Sequence, residues 1–238
     1  GRDPLDSTTH DTSRQSLALP RRVGVPRHLF SEGVDADVLE VFEKSLDALR
    51  EQGLEIVDLS LPSMAQAIAT YYIINFAEVS SNLARFDGVR YGFSLKGNTV
   101  WEDFAKTRAE GFGAEVRRRI MLGTYVLSAG YYDAYYGTAT EARARLAQEF
   151  ADAFKQVDVI ATPTAPTPAF KLGEKSDPLS MYLADLFTVP ANLAGLPAVS
   201  VPGGVVAREG NSLPVGIQFV AAKGAEETLF ATGKMIEN

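Results

Sequence analysis

Three consecutive arginines, Arg117, Arg118 and Arg119, lie in a stretch with a strong helical pattern, and the helix decides which of them can do chemistry. The stretch Phe112 to Tyr136, FGAEVRRRIMLGTYVLSAGYYDAYY, has no Pro. Apolar or small residues recur at Phe112, Val116, Ile120, Gly123, Leu127, Tyr131 and Ala134, the three-four spacing of one helix face. At about 100° per residue the three guanidinium groups point in three directions. Measured from the line through Val116, Ile120 and Leu127, Arg118 points nearly opposite, into solvent, and Arg117 lies well to one side. Arg119 falls roughly 60–80° from the face centre, at the edge of the core. A cation there must find an acceptor, because an unpaired charge at a buried edge is costly. It is either a structural salt bridge or the anchor for a carboxylate ligand.

Asp185 is the second candidate. It stands in an otherwise apolar run, MYLADLFTV. A lone carboxylate in such a run either faces water from a short helix or is held there for a purpose. Other chemistries find no support. With no cysteine there is no thiol nucleophile, disulfide framework or zinc ribbon. His10 and His28 sit on polar or Pro-flanked segments without a second ligand nearby, which argues against a His-based triad or a metal site. Neither GxxxxGK[ST], GxGxxG nor GxSxG occurs.

The elements that must carry these residues read as alternating strands and helices. RVGVP (22–26) is a short strand ended by Pro. Asp37 and Glu40 have the spacing of a capping box. Val38, Val41, Phe42, Leu46 and Leu49 follow at helical spacing, and Gly53 follows the helix end. EIVDLSL (55–61) alternates as a strand, so residues 22–61 form a strand–helix–strand unit. A helical region is predicted from about Ser63 to Phe86 and ends at Asp87-Gly88. The helical pattern of 112–136 resumes at Ala142, Leu146, Phe150, Ala153 and Phe154. The run is therefore predicted to reach about residue 157, with a break near Gly137. Strands are predicted at 158–162, 198–201 and 213–222, short helices at 181–186 and 225–236, and a turn at Gly203-Gly204. Residues 1–20 read as loop, and no linker divides the chain.

Composition fits a globular α/β protein: 46% hydrophobic, 22% charged, with a net charge of −7. No Lys/Arg block suggests a nucleic-acid groove, so DNA is not expected as a partner and any RNA is expected to be held by another subunit. Nothing resembles a signal peptide or an apolar span of membrane length, so no membrane association is expected, and the lack of cysteine is consistent with the cytoplasm.

Four blocks carry a resemblance. YYIINFAEVSSNLARFDGVRYG (71–92), FGAEVRRRIMLGTYVLSAGYYDAYY (112–136), PTAPTPAF (163–170) and DPLSMYLADLFTVPANLAGLPAVSVPGG (177–204) resemble the amidase signature family. Within it they resemble the branch of glutaminase (A) subunits that serve tRNA amidotransferases acting on Glu-tRNA(Gln) or Asp-tRNA(Asn). NLAGLPAVSVP marks the wider family. SSNLARFDGVRYG and GTYVLSAGYYDAYY point to the tRNA-dependent branch.

The resemblance implies a layered α/β/α fold with a mixed central sheet. It also implies that residues 1–238 are the C-terminal portion of a single amidase-signature domain. GRDPLDSTT (1–9) is similar to words that follow the family's Gly/Ser-rich signature, so residues 1–20 are expected to lead in from the catalytic half. The family's Ser–cis-Ser–Lys triad is then expected upstream of Gly1, and no catalytic residue is assigned in this chain. Ser80, Ser81 and Lys96 are not a substitute, because the tandem serines are expected to hydrogen-bond within their own helix.

Carried over position by position, the family's glutamine-holding residues fall on Tyr71, Arg119 and Asp185. Arg119 would fork onto the α-carboxylate, Asp185 would hold the α-ammonium, and Tyr71 would supply a wall and a hydroxyl. Asn75-Phe76 departs from the small or Pro-containing pair usual after YYII, which could change the packing beside Tyr71. The implied partners are glutamine, a B subunit that binds ATP, Mg and tRNA, and a small C subunit. No cofactor is expected in this chain. Two alternatives stay open: another amidase-signature hydrolase acting on other amides, or a non-catalytic half that assembles with a separate N-terminal half.

Overall fold

The computed structural model of the chain describes residues 19–31, 33–175 and 177–237. His10 and the expected lead-in at residues 1–18 lie outside the described residues. The described chain forms two compact units, one of residues 69–142 and one of the residues before and after it. The boundaries fall inside continuous helices, which is why no linker marks them in the sequence.

The unit formed by residues up to 68 and from 143 onward is built on a five-stranded mixed sheet in the order β2-β1-β3-β5-β4. Strands β1 (Arg22–Val25) and β2 (Glu55–Asp58) pair in parallel, with Val23 opposite Ile56, and helix α1 (Ala36–Glu51) connects them. Strand β3 (Val159–Pro163) adds in parallel to β1. Strands β4 (Ala198–Arg208) and β5 (Asn211–Ala221) form an antiparallel hairpin, and β5 pairs with β3 antiparallel. A central position requires apolar residues on both faces. One set, Val23, Val25, Val159, Ala161, Ile217, Phe219 and Ala221, is buried together with Phe42, Leu46 and Leu49 of α1 and Leu229 of α8 (Glu226–Glu237). The alternate set, Ile160, Thr162, Gln218 and Val220, is buried as well. The sheet is therefore covered on both faces, and the expected mixed α/β architecture is present.

Helix α1 buries every apolar position that its three-four spacing predicts. Its cap differs from expectation. The helix starts at Ala36 with Asp35 at the N-cap, and the Asp35 side chain makes no cap hydrogen bond. Asp37 instead turns its carboxylate to the Arg208 guanidinium, which also takes Asp35 at 2.8 Å, and Glu40 pairs with Lys44. A carboxylate near a guanidinium gains more from the charged pair than from a neutral N–H.

Gly203-Gly204 is not a turn. Both residues lie inside β4, at a shift of register between Pro202 and Gly204. Gly204 has φ +149°, and a Cβ on Gly203 would come 2.3 Å from the Ile217 side chain. Glycine here serves a bulge and a close approach. The hairpin turns at Glu209-Gly210, both with positive φ, immediately after Arg208 pairs with Asn211.

The unit of residues 69–142 is helical. It holds most of α2 (Ala67–Asn82), α3 (Val100–Gly111), α4 (Ala114–Val126) and the start of α5 (Thr138–Ala153). Thr99 caps α3 by accepting from the Glu102 N–H at 3.2 Å. The buried Thr107 hydroxyl bonds the Leu95 backbone and ties the preceding loop to that helix.

The long run predicted from Phe112 divides earlier than expected. α4 ends at Val126, and the break spans Leu127–Tyr132 with Gly130 at φ +91°. Ser128 stabilises it by donating to the Tyr125 carbonyl. Gly137 closes a π-helical turn, Asp133–Gly137, that runs straight into α5.

Candidate functional site

On α4 Arg119 is less exposed than Arg118, as the helical geometry leads one to expect. The Arg119 side chain is 32% exposed and that of Arg118 is 48% exposed. Arg117 is exposed and donates to the Ala109 carbonyl at 3.2 Å. Arg119 Nε donates to Glu115 Oε1 at 2.9 Å, one helical turn back. The other oxygen of Glu115 accepts from Arg118. Glu115 lies in the first turn of α4, where a carboxylate is favoured by the helix dipole, and the Glu-to-Arg order at i,i+4 is the stabilising one. Sequence reading overlooked Glu115, although its spacing to Arg119 was visible.

Tyr71 lies on α2, half-buried, with its ring edge-on to Tyr72 at 5.1 Å. Tyr72 is buried and tilts against Phe76 at 5.4 Å. Helices α2 and α4 meet at Gly123, where a Cβ would lie only 1.8 Å from the Phe76 carbonyl oxygen and 2.8 Å from Ser80 Cβ. Tyr71 is five residues from that crossing and Arg119 four, so each lies within about 8 Å of it along its helix axis. The departure at Asn75-Phe76 has a structural consequence. Asn75 sits one turn beyond Tyr71, and its Nδ2 is buried without a hydrogen-bond partner among the described residues. Ser80 donates to the Ala77 carbonyl at 2.9 Å, within its own helix, as expected. Lys96 is exposed and paired with Asp103, unlike a buried neutral amine that could act as a base.

Asp185 belongs to the sheet-containing unit. It ends the turn Leu183–Asp185 between α6 (Pro178–Tyr182) and α7 (Val189–Ala194), and it is exposed. Its backbone carbonyl accepts from the Thr188 N–H and hydroxyl. Two residues on, Phe187 is buried edge-on to Phe30, and its carbonyl accepts from Gln218 Nε2 at 2.8 Å. The turn bearing Asp185 is thereby anchored to a buried strand residue.

A cavity of about 390 Å³ opens at the end of β3, lined by Thr164, Ser200, Val201, Pro202, Val215 and Gly216 among others. It includes none of Tyr71, Arg119 and Asp185. Two of its hydroxyls, Thr164 and Ser200, bond each other at 2.6 Å, and among the described residues no lysine or histidine lines it to activate them. His28 is exposed. Among the described residues no three His, Asp or Glu side chains gather as a metal site.

Residues 1–230 match the family model described as Amidase. The chain belongs to the amidase family. It is 52% identical over 247 residues to the A subunit of glutamyl-tRNA(Gln) amidotransferase from Acidobacterium capsulatum, and 49% identical over 246 residues to its counterpart from Maricaulis maris. These alignments cover 100% of this chain and 51% and 50% of those proteins. The crystal structure of the A subunit of glutamyl-tRNA(Gln) amidotransferase from Thermotoga maritima has a TM-score of 0.72 at 37% identity, covering 100% of this chain and 48% of that one. A bacterial aryl acylamidase of the amidase signature family shares the fold, with a TM-score of 0.61 at 18% identity. The chain thus spans about half the length of the curated relatives it matches. No helix among the described residues is long and apolar enough to cross a membrane.

Proposed function

We propose that this chain is the glutamine-holding portion of the glutaminase (A) subunit of a tRNA-dependent amidotransferase. The observation that carries the reading is the part-buried side chain of Arg119 on α4, at the position where the resemblance expects a carboxylate ligand; its pairing with Glu115 is the structural salt bridge that the sequence also allows. Arg119 would bind the α-carboxylate, Asp185 would hold the α-ammonium, and Tyr71 would add a wall and a hydroxyl. Such a zwitterion clamp distinguishes glutamine from simple amides, because a site built for charged groups rejects a ligand that leaves them unpaired.

In the complete subunit, water and the glutamine amide yield glutamate and ammonia through the family's Ser–cis-Ser–Lys set. The Gly/Ser-rich segment that carries it has no match in residues 1–238. Ammonia would then pass to a B subunit that uses ATP and Mg to activate the glutamyl or aspartyl group on tRNA, with a C subunit bracing the pair. Such a complex would work in the cytoplasm.

The test compares glutamine with butyramide in the complete subunit bound to its partners, following ammonia release. A large preference for glutamine is expected, and equal turnover of the two would favour a general amide hydrolase. The 238-residue chain alone is expected to release no ammonia from glutamine, because it lacks the nucleophile and its base. Release above background would contradict that assignment.

A further inference from the structure

We infer that Glu115 is a positioning residue of the glutamine site, setting the guanidinium of Arg119 for the substrate carboxylate. The inference rests on the reading of Arg119 given above and adds a residue to it. A flexible arginine side chain loses rotamer freedom on binding, and a site that fixes it beforehand binds more tightly. Glu115 supplies that fixation. Its Oε1 accepts from Arg119 Nε at 2.9 Å, on the side of the guanidinium nearest the helix. Its second oxygen is held by Arg118, so the carboxylate is itself restrained from both sides. The three residues share one exposed-to-half-buried strip of α4, with Glu115 in the first helical turn, where the dipole favours its charge.

The geometry also sets the chemistry. One carboxylate from the protein directs Nε of Arg119, and a second carboxylate from the ligand would share the same cation. Moving or removing Glu115 would therefore weaken recognition of an α-carboxylate and leave the amide end of the substrate untouched. Because the α-carboxylate does not change during amide hydrolysis, the lost interaction is equally present in ground and transition states. Its loss raises KM at constant kcat.

The experiment uses the complete subunit bound to its partners and follows ammonia release from glutamine and from 4-aminobutyramide. The latter is glutamine without its α-carboxylate. Glu115→Ala is expected to raise the glutamine KM about three- to fivefold at unchanged kcat, the cost of ordering a freed Arg119 side chain on binding. Its kcat/KM for 4-aminobutyramide should stay within about twofold of the parent. Glu115→Gln keeps the shape and an acceptor oxygen, provides a variant if Glu115→Ala folds poorly, and should fall between the two. In an Arg119→Ala background, Glu115→Ala should add nothing further to the glutamine KM. An unchanged glutamine KM, or an equal loss on both substrates, would overturn the positioning role and reduce Glu115 to a helix-stabilising residue. If Arg119→Ala itself leaves the glutamine KM unaltered, the failure lies with the underlying assignment of Arg119.

Discussion

Gly123 on α4 faces the Phe76 carbonyl on α2 so closely that a Cβ there would lie 1.8 Å from the oxygen. Two effects of Gly123→Ala oppose each other. Alanine is the better helix former by about 1 kcal/mol. The clash is with backbone, which cannot swing aside, and forcing helices apart in a packed region costs roughly 1–3 kcal/mol or more. The clash should win. The variant is expected to lower the melting temperature and raise the glutamine KM in the complete subunit, because Tyr71 and Arg119 ride on the two helices. A rise in melting temperature with KM unchanged would show that the crossing does not position the site.

The Asp37–Arg208 pair gives a pH signature. The hydrogen bond from Arg208 holds the Asp37 carboxyl below its ordinary value of 3.8. A carboxylate whose pKa is lowered by folding stabilises the fold above the unfolded value. That contribution fades as pH falls through the lowered one. Asp37→Asn should therefore reduce the melting temperature at about pH 6, and the gap to the parent should close as pH falls below 3.8. A gap that persists unchanged at the acid end would mean that Asp37 acts through a charge-independent contact.

Asn75 carries a buried Nδ2 without a hydrogen-bond partner among the described residues, one turn beyond Tyr71. An unsatisfied buried donor costs about 1–3 kcal/mol, comparable with what its side chain gains by packing. Asn75→Ala is expected to leave thermal stability unchanged or improve it. A loss above about 2 kcal/mol, more than the partial burial of one small side chain explains, would show that the amide is paired in solution.

Much of the architecture could be read from the chain because local and tertiary preferences agree there. In α1 the apolar spacing and Gly53 set the same boundaries that the core requires. Where one residue type serves two purposes, the reading failed. Gly203-Gly204 has the composition of a turn but is used for a bulge, since the close approach of Ile217 is a long-range fact. The helix break moved from Gly137 to Leu127–Tyr132 because Gly130 and the Ser128 hydroxyl end α4, while Gly137 is absorbed in a π-helical turn. The two-unit division left no trace in composition, because it cuts through helices.

The candidate site was legible in proportion to its periodicity. Helical spacing separated Arg119 from Arg118, and Arg119 is the less exposed of the two; Arg117 lies as far from the line through Val116, Ile120 and Leu127 on its other side, so the family resemblance chooses between Arg117 and Arg119. Tyr71 has no such signature: one of two adjacent tyrosines on an apolar helix, it is visible only through the family resemblance. Asp185 was left between two readings, and its side chain is exposed on a short turn. The Glu115 contact follows from i,i+4 spacing once α4 is accepted as a helix.

The most direct test of the glutamine-holding role sets Arg119 against its neighbour. In the complete subunit with its partners, Arg119→Ala should raise the glutamine KM by roughly tenfold or more, the loss of a charge-assisted carboxylate contact of about 1.5–3 kcal/mol. Arg118→Ala, which removes a more exposed cation, should change it by less than about threefold, within the roughly 0.2–1 kcal/mol of a surface pair. Equal effects of the two substitutions, or no effect of Arg119→Ala, would contradict the account.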